Sequence, residues 1–412
     1  VKKPSLKLIE MIYASSEGAV TNEELYTLAQ NHMGIEDAAM EAKVPFGEDG
    51  VQRSKIKHEI RWFQQTLKAM NVIEKVDGRK GQWQYCRKTK DGVNEARVGA
   101  KLLAFSTELG AAIYGDSLDV FTGNNETISL CITSPPYPLR NQRSYGLDTK
   151  NDSEYIDFIC RVLEPIVKSL SNGASVVMNI GSDIFMNKSP ARSLYPEKLV
   201  LALHENLGLF LMDRIPWVNR AKPVGPTYWA CVERVQLAVA HEPIYWFTNN
   251  PHRVKSDNRR VLLPHHEAQR KLFESGGTHR ITNYGDGAHQ LRTNSFSKET
   301  PGRIPKNVIE RGNQCSDSRS VYRFAREMGL PAHPAMFPTD IPAFFIQFLT
   351  EVGELVVDPF GGALKTGLAA ERLKRRWLCC DKIFEWLKVS SRLFSGFNGF
   401  SSSQFLDNFT LE

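Results

Sequence analysis

Two short stretches carry residue types able to do chemistry. Thr133-Ser134-Pro135-Pro136-Tyr137 closes the apolar run Ile128 to Ile132, which reads as a buried strand stopped by prolines. Two consecutive prolines remove two backbone donors and stiffen the chain, so this tip presents carbonyls, a hydroxyl and a ring in a fixed arrangement suited to a flat polar group. Far downstream, Glu354 to Val357 reads as a second buried strand, ending in Asp358-Pro359-Phe360-Gly361-Gly362. A helix follows through Leu368 and Leu373, and Trp377 to Cys380 forms a further strand ending in Asp381. Strand, glycine-containing turn, helix and a second strand ending in an acid form the half-site that doubly wound sheets use for dinucleotides or adenosyl groups. The glycines let a ligand approach the backbone, and the distal acid accepts from ribose hydroxyls. Ligands of open parallel sheets bind beyond the carboxyl ends of the strands, so the two tips are expected to be neighbours in space.

The elements that must position these tips are legible from the alternation around them. From about residue 110, short strands and amphipathic helices succeed one another. Ala111 to Tyr114 ends in Gly115-Asp116, Ser117 to Thr122 makes one or two helical turns, and Ser153 to Leu170 has helical spacing. Ser175 to Gly181 is strand-like, a helix follows Pro196, and Leu209 to Val218 and Val235 to Phe247 read as two more strands. After an interruption the pattern resumes with a helix from about Pro342 to Thr350. Such alternation predicts an α/β fold with a doubly wound, mostly parallel sheet.

Residues 1 to about 90 form a helical unit that ends in a hairpin. Thr21 and Glu24 have capping-box spacing, and Ile56, Ile60, Phe63, Leu67 and Met70 line one face of a helix. Strands at Val72 to Val76 and Gln82 to Cys86 flank a turn with two glycines and two cations, Asp77 to Gly81. The pattern resembles a winged helix-turn-helix, a module that contacts DNA or docks protein. Residues 90 to 105 read as a linker. The expected division is a winged-helix-like unit over 1–100, an acceptor half over 101–249, a recognition region over 250–330 and a donor half over 331–412.

Composition sets outer limits. The chain has 412 residues, 42% of them hydrophobic and 24% charged, as in soluble globular proteins. No apolar run is long enough to cross a membrane and the first residues lack a signal-peptide pattern, so cytoplasmic placement is expected. Seven scattered cysteines without a C-x-x-C pair, and His265-His266 without ligand-spaced partners, predict reduced thiols and no metal site. Net charge is +6, and residues 250 to 330 hold 15 Lys and Arg against 8 Asp and Glu. One cationic insertion in an otherwise neutral chain is how a nucleic-acid footprint looks, with Arg259 and Arg260 as candidate phosphate contacts.

Both tips in this order, with Asp381, the basic insertion and His333-Pro334-Ala335-Met336-Phe337-Pro338 before the donor strand, resemble the amino-directed DNA methyltransferases of the permuted β group. The resemblance covers roughly residues 110 to 395, and TSPPY in place of an acidic tip is similar to the cytosine-N4 branch of restriction-modification systems. It implies the class I methyltransferase fold, S-adenosylmethionine as donor and double-stranded DNA as substrate. It also implies a possible partner restriction endonuclease and a monomer or homodimer. Catalytic roles fall to Ser134, Pro135, Pro136 and Tyr137: Ser134 Oγ and the Pro135 carbonyl would accept from the target amine, with Tyr137 stacking on the base. Donor contacts fall to Asp116, His333, Pro334, Phe337, Asp358, Pro359, Phe360, Gly361, Gly362, Thr366 and Asp381. One departure is Leu364, where many relatives carry a second glycine. Adenine-N6 methylation and a non-catalytic DNA-binding regulator on the same fold are the alternative readings.

Overall fold

The computed structural model describes residues 3–16, 18–46, 51–76, 79–86, 93–138, 151–181, 184–222, 228–285 and 287–408. The N-terminal unit runs α1 (Leu6–Ser15), β1 (Val20–Thr21), α2 (Asn22–Met33), α3 (Asp37–Glu41), β2 (Lys43–Phe46), β3 (Val51–Ser54), α4 (Lys55–Ala69), β4 (Ile73–Lys75) and β5 (Gln82–Tyr85). Thr21 and Glu24 cap α2 reciprocally, as their spacing predicts. The apolar stripe of α4 buries Ile60, Phe63, Leu67 and Met70. An antiparallel sheet in the order β1-β5-β4 closes the unit. The hairpin β2-β3 is an element the sequence reading did not contain, because it buries only Ser54 and so shows little apolar alternation. Asp77 and Gly78, in the expected basic turn, lie outside the described residues.

The remaining elements are β6 (Lys101–Ser106), β7 (Gly110–Gly115), α5 (Ser117–Phe121), β8 (Ile128–Thr133), α6 (Asp152–Lys168), β9 (Leu170–Asn179), α7 (Tyr195–Leu207), β10 (Phe210–Val218) and β11 (His241–Thr248). Then come α8 (Glu267–Glu274), β12 (Thr282–Tyr284), β13 (His289–Leu291), β14 (Ile309–Glu310), α9 (Ser316–Met328), α10 (Asp340–Leu349), β15 (Leu355–Asp358), α11 (Lys365–Arg372), β16 (Arg376–Asp381), α12 (Phe384–Ser391), β17 (Ser401–Ser402) and α13 (Gln404–Asn408). A ten-stranded sheet has the order β14-β10-β11-β9-β8-β15-β16-β7-β6-β17. Its five central strands, β9 to β7 in that order, pair parallel, whereas β10 and β11 on one side and β6 and β17 on the other pair antiparallel. Every residue of β8 and β15 is buried, which explains their uninterrupted apolar runs. One face of the sheet packs on α6 and α7 through Tyr155, Ile159, Leu199 and Leu203. The other packs on α10 and α11 through Ile341, Phe345 and Leu368.

Three expectations change. The strand expected from Val235 begins at His241, since Val235 and Leu237 are exposed and a single π-helical turn spans Tyr228–Val232. The supposed linker 90–105 is structured: β6 starts at Lys101 and buries Phe105 against Phe394, while Ala96 N–H donates to the Lys382 carbonyl and Asn94 bonds the buried Glu385. This strap at 93–97 ties the N-terminal unit to β16 and α12. Helix α9 packs Val321 and Ala325 on the donor half and pairs Asp317 with Arg372 through two hydrogen bonds, so the expected recognition region loses its last stretch to the core.

Arg259 and Arg260 are not free cations. Arg259 is bidentate to Asp257, and Arg260 donates to Glu351 and to the carbonyls of Lys255 and Thr350. Thr350 and Glu351 precede β15, at the opposite end of the parallel strands from the two tips. Replacing Arg260 by Ala should therefore lower unfolding free energy by about 2 kcal/mol, as expected for charge-assisted bonds to partly buried groups. Denaturant titration measures this, and the salt slope of DNA binding should stay as in the unaltered protein.

Candidate active site

Parallel pairing of β8 with β15, and of β15 with β16, brings both tips to one edge of the sheet, where they face a cleft of about 680 Å³. Ser134, Pro135, Pro136 and Tyr137 form one wall. Asp116, Pro359, Phe360 and Asp381 form the other, and His333, Pro334 and Phe337 close it from the segment before α10. Asp116 combines two roles, because its side chain also caps α5 by accepting from Leu118 N–H at 2.9 Å.

Asp358, Gly361, Gly362 and Thr366 do not line the cleft; they lie behind it and fix its walls. Asp358 is 1% exposed and accepts from Thr133 Oγ1 at 2.6 Å, Thr366 Oγ1 at 2.7 Å and Phe360 N–H at 3.1 Å. Burial pushes its carboxyl up to about 6 against the pull of these donors. Gly362 N–H donates to Asp381 Oδ2 at 2.7 Å and Ile383 N–H to Oδ1 at 2.8 Å, orienting that carboxylate at the end of β16. Asp381 is likewise raised to about 6 by burial, with the two amides opposing.

The donor turn has glycine at 362 for two reasons. Its φ is +49°, and a Cβ there would stand 2.9 Å from His333 Nε2. Leu364, the departure noted in the sequence, keeps the left-handed conformation a glycine would take, with φ +54°. That conformation costs a non-glycine residue roughly 1–2 kcal/mol, an amount offset by a side chain that is fully buried in the core. His333 packs edge-on against Trp386 at 4.2 Å between centroids and accepts from Ala335 N–H. Burial lowers its pKa to about 4, so the ring is neutral at physiological pH.

The acceptor wall includes groups that sequence reasoning missed. Tyr137 OH lies 3.3 Å from Asn179 Oδ1 and donates to Glu242 Oε2 at 3.2 Å, while Lys222 Nζ stands 3.4 Å from Glu242 Oε1. Ser134 Oγ is 3.4 Å from Tyr137 OH and 3.5 Å from Asn179 Oδ1. The Tyr137 ring lies on Gly181, where a Cβ would be 2.9 Å from it. Asn179 ends β9, and the rule that ligands sit beyond the carboxyl ends of parallel strands points to it. Glu242 had no such signal, since only the antiparallel register that sets Ile244 opposite Asn179 brings it to the tip. Cys131 is fully buried in β8, and burial holds its thiol well above the ordinary range, so it is not a nucleophile. Among the described residues no cluster of three or more His, Cys, Asp or Glu is placed to hold a metal, and no helix is long and apolar enough to cross a membrane.

Comparison with known proteins gives this geometry its context. The chain is 33% identical over 289 residues to the type II methyltransferase M.PvuII of Proteus hauseri, covering 70% of this chain and 84% of that protein. It is 25% identical over 283 residues to the type II methyltransferase M.BglII of Bacillus subtilis, covering 68% of each. The structure of a PvuII DNA methyltransferase described as cytosine-N4-specific superposes with a TM-score of 0.57 at 28% identity, covering 77% of this chain and 99% of that one. A DNA methylase family model for N6 and N4 transfer matches residues 128–391, from the first residue of β8 to the last of α12, and therefore contains both tips. The chain belongs to the N6/N4 DNA methylase family.

Proposed function

We propose that this methyltransferase transfers a methyl group from S-adenosylmethionine to the exocyclic N4 of cytosine in duplex DNA, as the modifying member of a restriction-modification system. The observation that carries the reading is the match, over 99% of its length, to a methyltransferase described as cytosine-N4-specific. The serine tip agrees with it.

The residues present suit the donor. The Asp381 carboxylate, oriented by two backbone amides and facing the cleft, would accept from the ribose hydroxyls. Phe360, Ile383 and Trp386 offer apolar walls for the adenine, with Asp116 beside them, and Pro359, His333, Pro334 and Phe337 complete the enclosure. Asp358, Gly361, Gly362 and Thr366 act as positioning residues. The bound donor supplies a methyl group on a positively charged sulfur.

On the acceptor side the amine of cytosine is a poor nucleophile because its lone pair is delocalised into the ring. Ser134 Oγ and the Pro135 carbonyl, as fixed acceptors for its two N–H groups, would let the nitrogen pyramidalise and aim that lone pair at the methyl carbon. Pro136 holds the turn, and the Tyr137 ring, seated on Gly181, forms a wall for the base. A base in duplex DNA must be extruded to reach this pocket at a cost of a few kcal/mol. In this reading the basic segment before α9 recognises the target and the N-terminal unit is a winged helix that docks DNA or a protein partner such as the cognate endonuclease.

Nucleosides from DNA methylated by the protein should contain N4-methylcytosine on mass spectrometry; N6-methyladenine in its place would overturn the specificity. Ser134→Ala should lower kcat by about 10²-fold, with calorimetric affinity for S-adenosylmethionine unchanged. An ionised Asp381 accepts two hydroxyl protons and a protonated one does not. Because its folded-state pKa is about 6, donor affinity should be full above pH 7 and weaken as pH falls through 6. Asp381→Asn should bind weakly at every pH, without that dependence.

A further inference from the structure

Methyl transfer leaves a proton to be disposed of. When the N4–methyl bond forms, the carbon–sulfur bond breaks with its electron pair remaining on sulfur. Positive charge then passes to N4, which becomes neutral only by losing one N–H proton. Ser134 Oγ and the Pro135 carbonyl can accept hydrogen bonds, but neither is a terminal base at neutral pH.

Among the described residues, three of the four carboxylates that line the cleft sit on the donor side: Asp381 is held by two amides, Asp116 caps α5, and Glu95 pairs with Lys382 at 3.2 Å. Glu242 is the one on the acceptor side, and it is joined to the tip by a continuous chain of hydroxyls. Ser134 Oγ lies 3.4 Å from Tyr137 OH, and Tyr137 OH lies 3.2 Å from Glu242 Oε2. Asn179 Oδ1 also faces both hydroxyls but belongs to an amide, which takes no proton at neutral pH.

Resting on the cytosine-N4 reading above, we infer that Glu242 is the proton acceptor of the reaction, reached through a relay from N4 to Ser134 and from Ser134 through Tyr137. The balance is simple. The N4 proton moves to Ser134 Oγ, the serine proton to Tyr137 oxygen and the tyrosine proton to Glu242, so the carboxylate becomes a carboxylic acid and both hydroxyls are restored. Burial, with the neighbouring Glu242 charge, keeps Tyr137 a phenol, able to donate as it receives. Lys222, 3.4 Å from the other Glu242 oxygen, favours return of the carboxylate, and both side chains are partly exposed, which opens a route to solvent. Among the described residues, the titratable groups facing Glu242 are Tyr137 after β8, Lys222 after β10 and Tyr195 on α7. Both tyrosines are held above their usual range by burial and stay protonated, which leaves Glu242 as the carboxylate of this set. Glu242 and Tyr137 thus act beyond shape: Tyr137→Phe keeps the ring on Gly181 and cuts the relay.

The test is single-turnover methyl transfer by the full chain, with saturating S-adenosylmethionine, on a DNA that the unaltered protein methylates. Glu242→Gln and Tyr137→Phe should each slow the step by about 10²-fold, and the double variant should be no slower than either, because both break one path. Glu242→Asp should recover part of the rate. Donor affinity and melting temperature, read on the same samples, separate a folding defect from a relay defect, and Tyr137→Phe serves if Glu242→Gln does not fold. Full rate in either single variant, or rate losses that multiply in the double, would overturn the relay. An unaltered protein that methylates no DNA would instead overturn the reading on which it rests.

Discussion

The site depends on one buried carboxylate. Asp358 ends the central strand of the parallel set and is bonded at once to Thr133, to Thr366 and to the amide of Phe360. An ionised carboxylate out of water is costly unless its oxygens are satisfied, so the three donors cannot drift independently. Thr133 immediately precedes Ser134, and Phe360 lies on the donor turn. The same charge therefore sets the distance between the residue that would meet the base and the loop that would meet the donor. Preorganisation of this kind is what a direct transfer needs, since little covalent chemistry is left for the protein to perform.

A second layer of constraint surrounds that carboxylate. Gly362 gives its amide to Asp381 and its missing Cβ to His333, so one residue serves the acid that ends β16 and the imidazole packed on Trp386. Leu364 shows that a left-handed position need not be glycine when the side chain it carries fills a core site. The departure from the common pattern is thus a substitution of burial for conformational freedom, and the turn keeps its course.

Much of this was legible in the sequence because it is local. The two tips, the order of strands and helices, the α2 capping box and the α4 stripe each follow from a few adjacent residues. What escaped needs a partner to define it. Charge counting registered Arg260 as a cation and could not see Glu351 or the carbonyl of Thr350 that it bonds. Helix α9 read as part of a polar insertion because most of its surface is charged, although Val321 and Ala325 make it core. Glu242 carries no motif at all. It lies near the start of the antiparallel strand β11, 105 positions along the chain from Tyr137, which it touches.

The strap at 93–97 bears on how such a chain can be assembled from parts. The family model matches from residue 128, yet Val93 and Glu95 lie on the cleft and Asn94 grips Glu385 through its amide and its side chain. The stretch that the family model matches is therefore shorter than the unit that makes a complete wall. A gene fusion that exchanged the N-terminal unit for another would have to leave these few residues behind with the catalytic part, or bring a new segment able to satisfy a buried glutamate. Modularity in this protein has its seam upstream of the point where the family match begins.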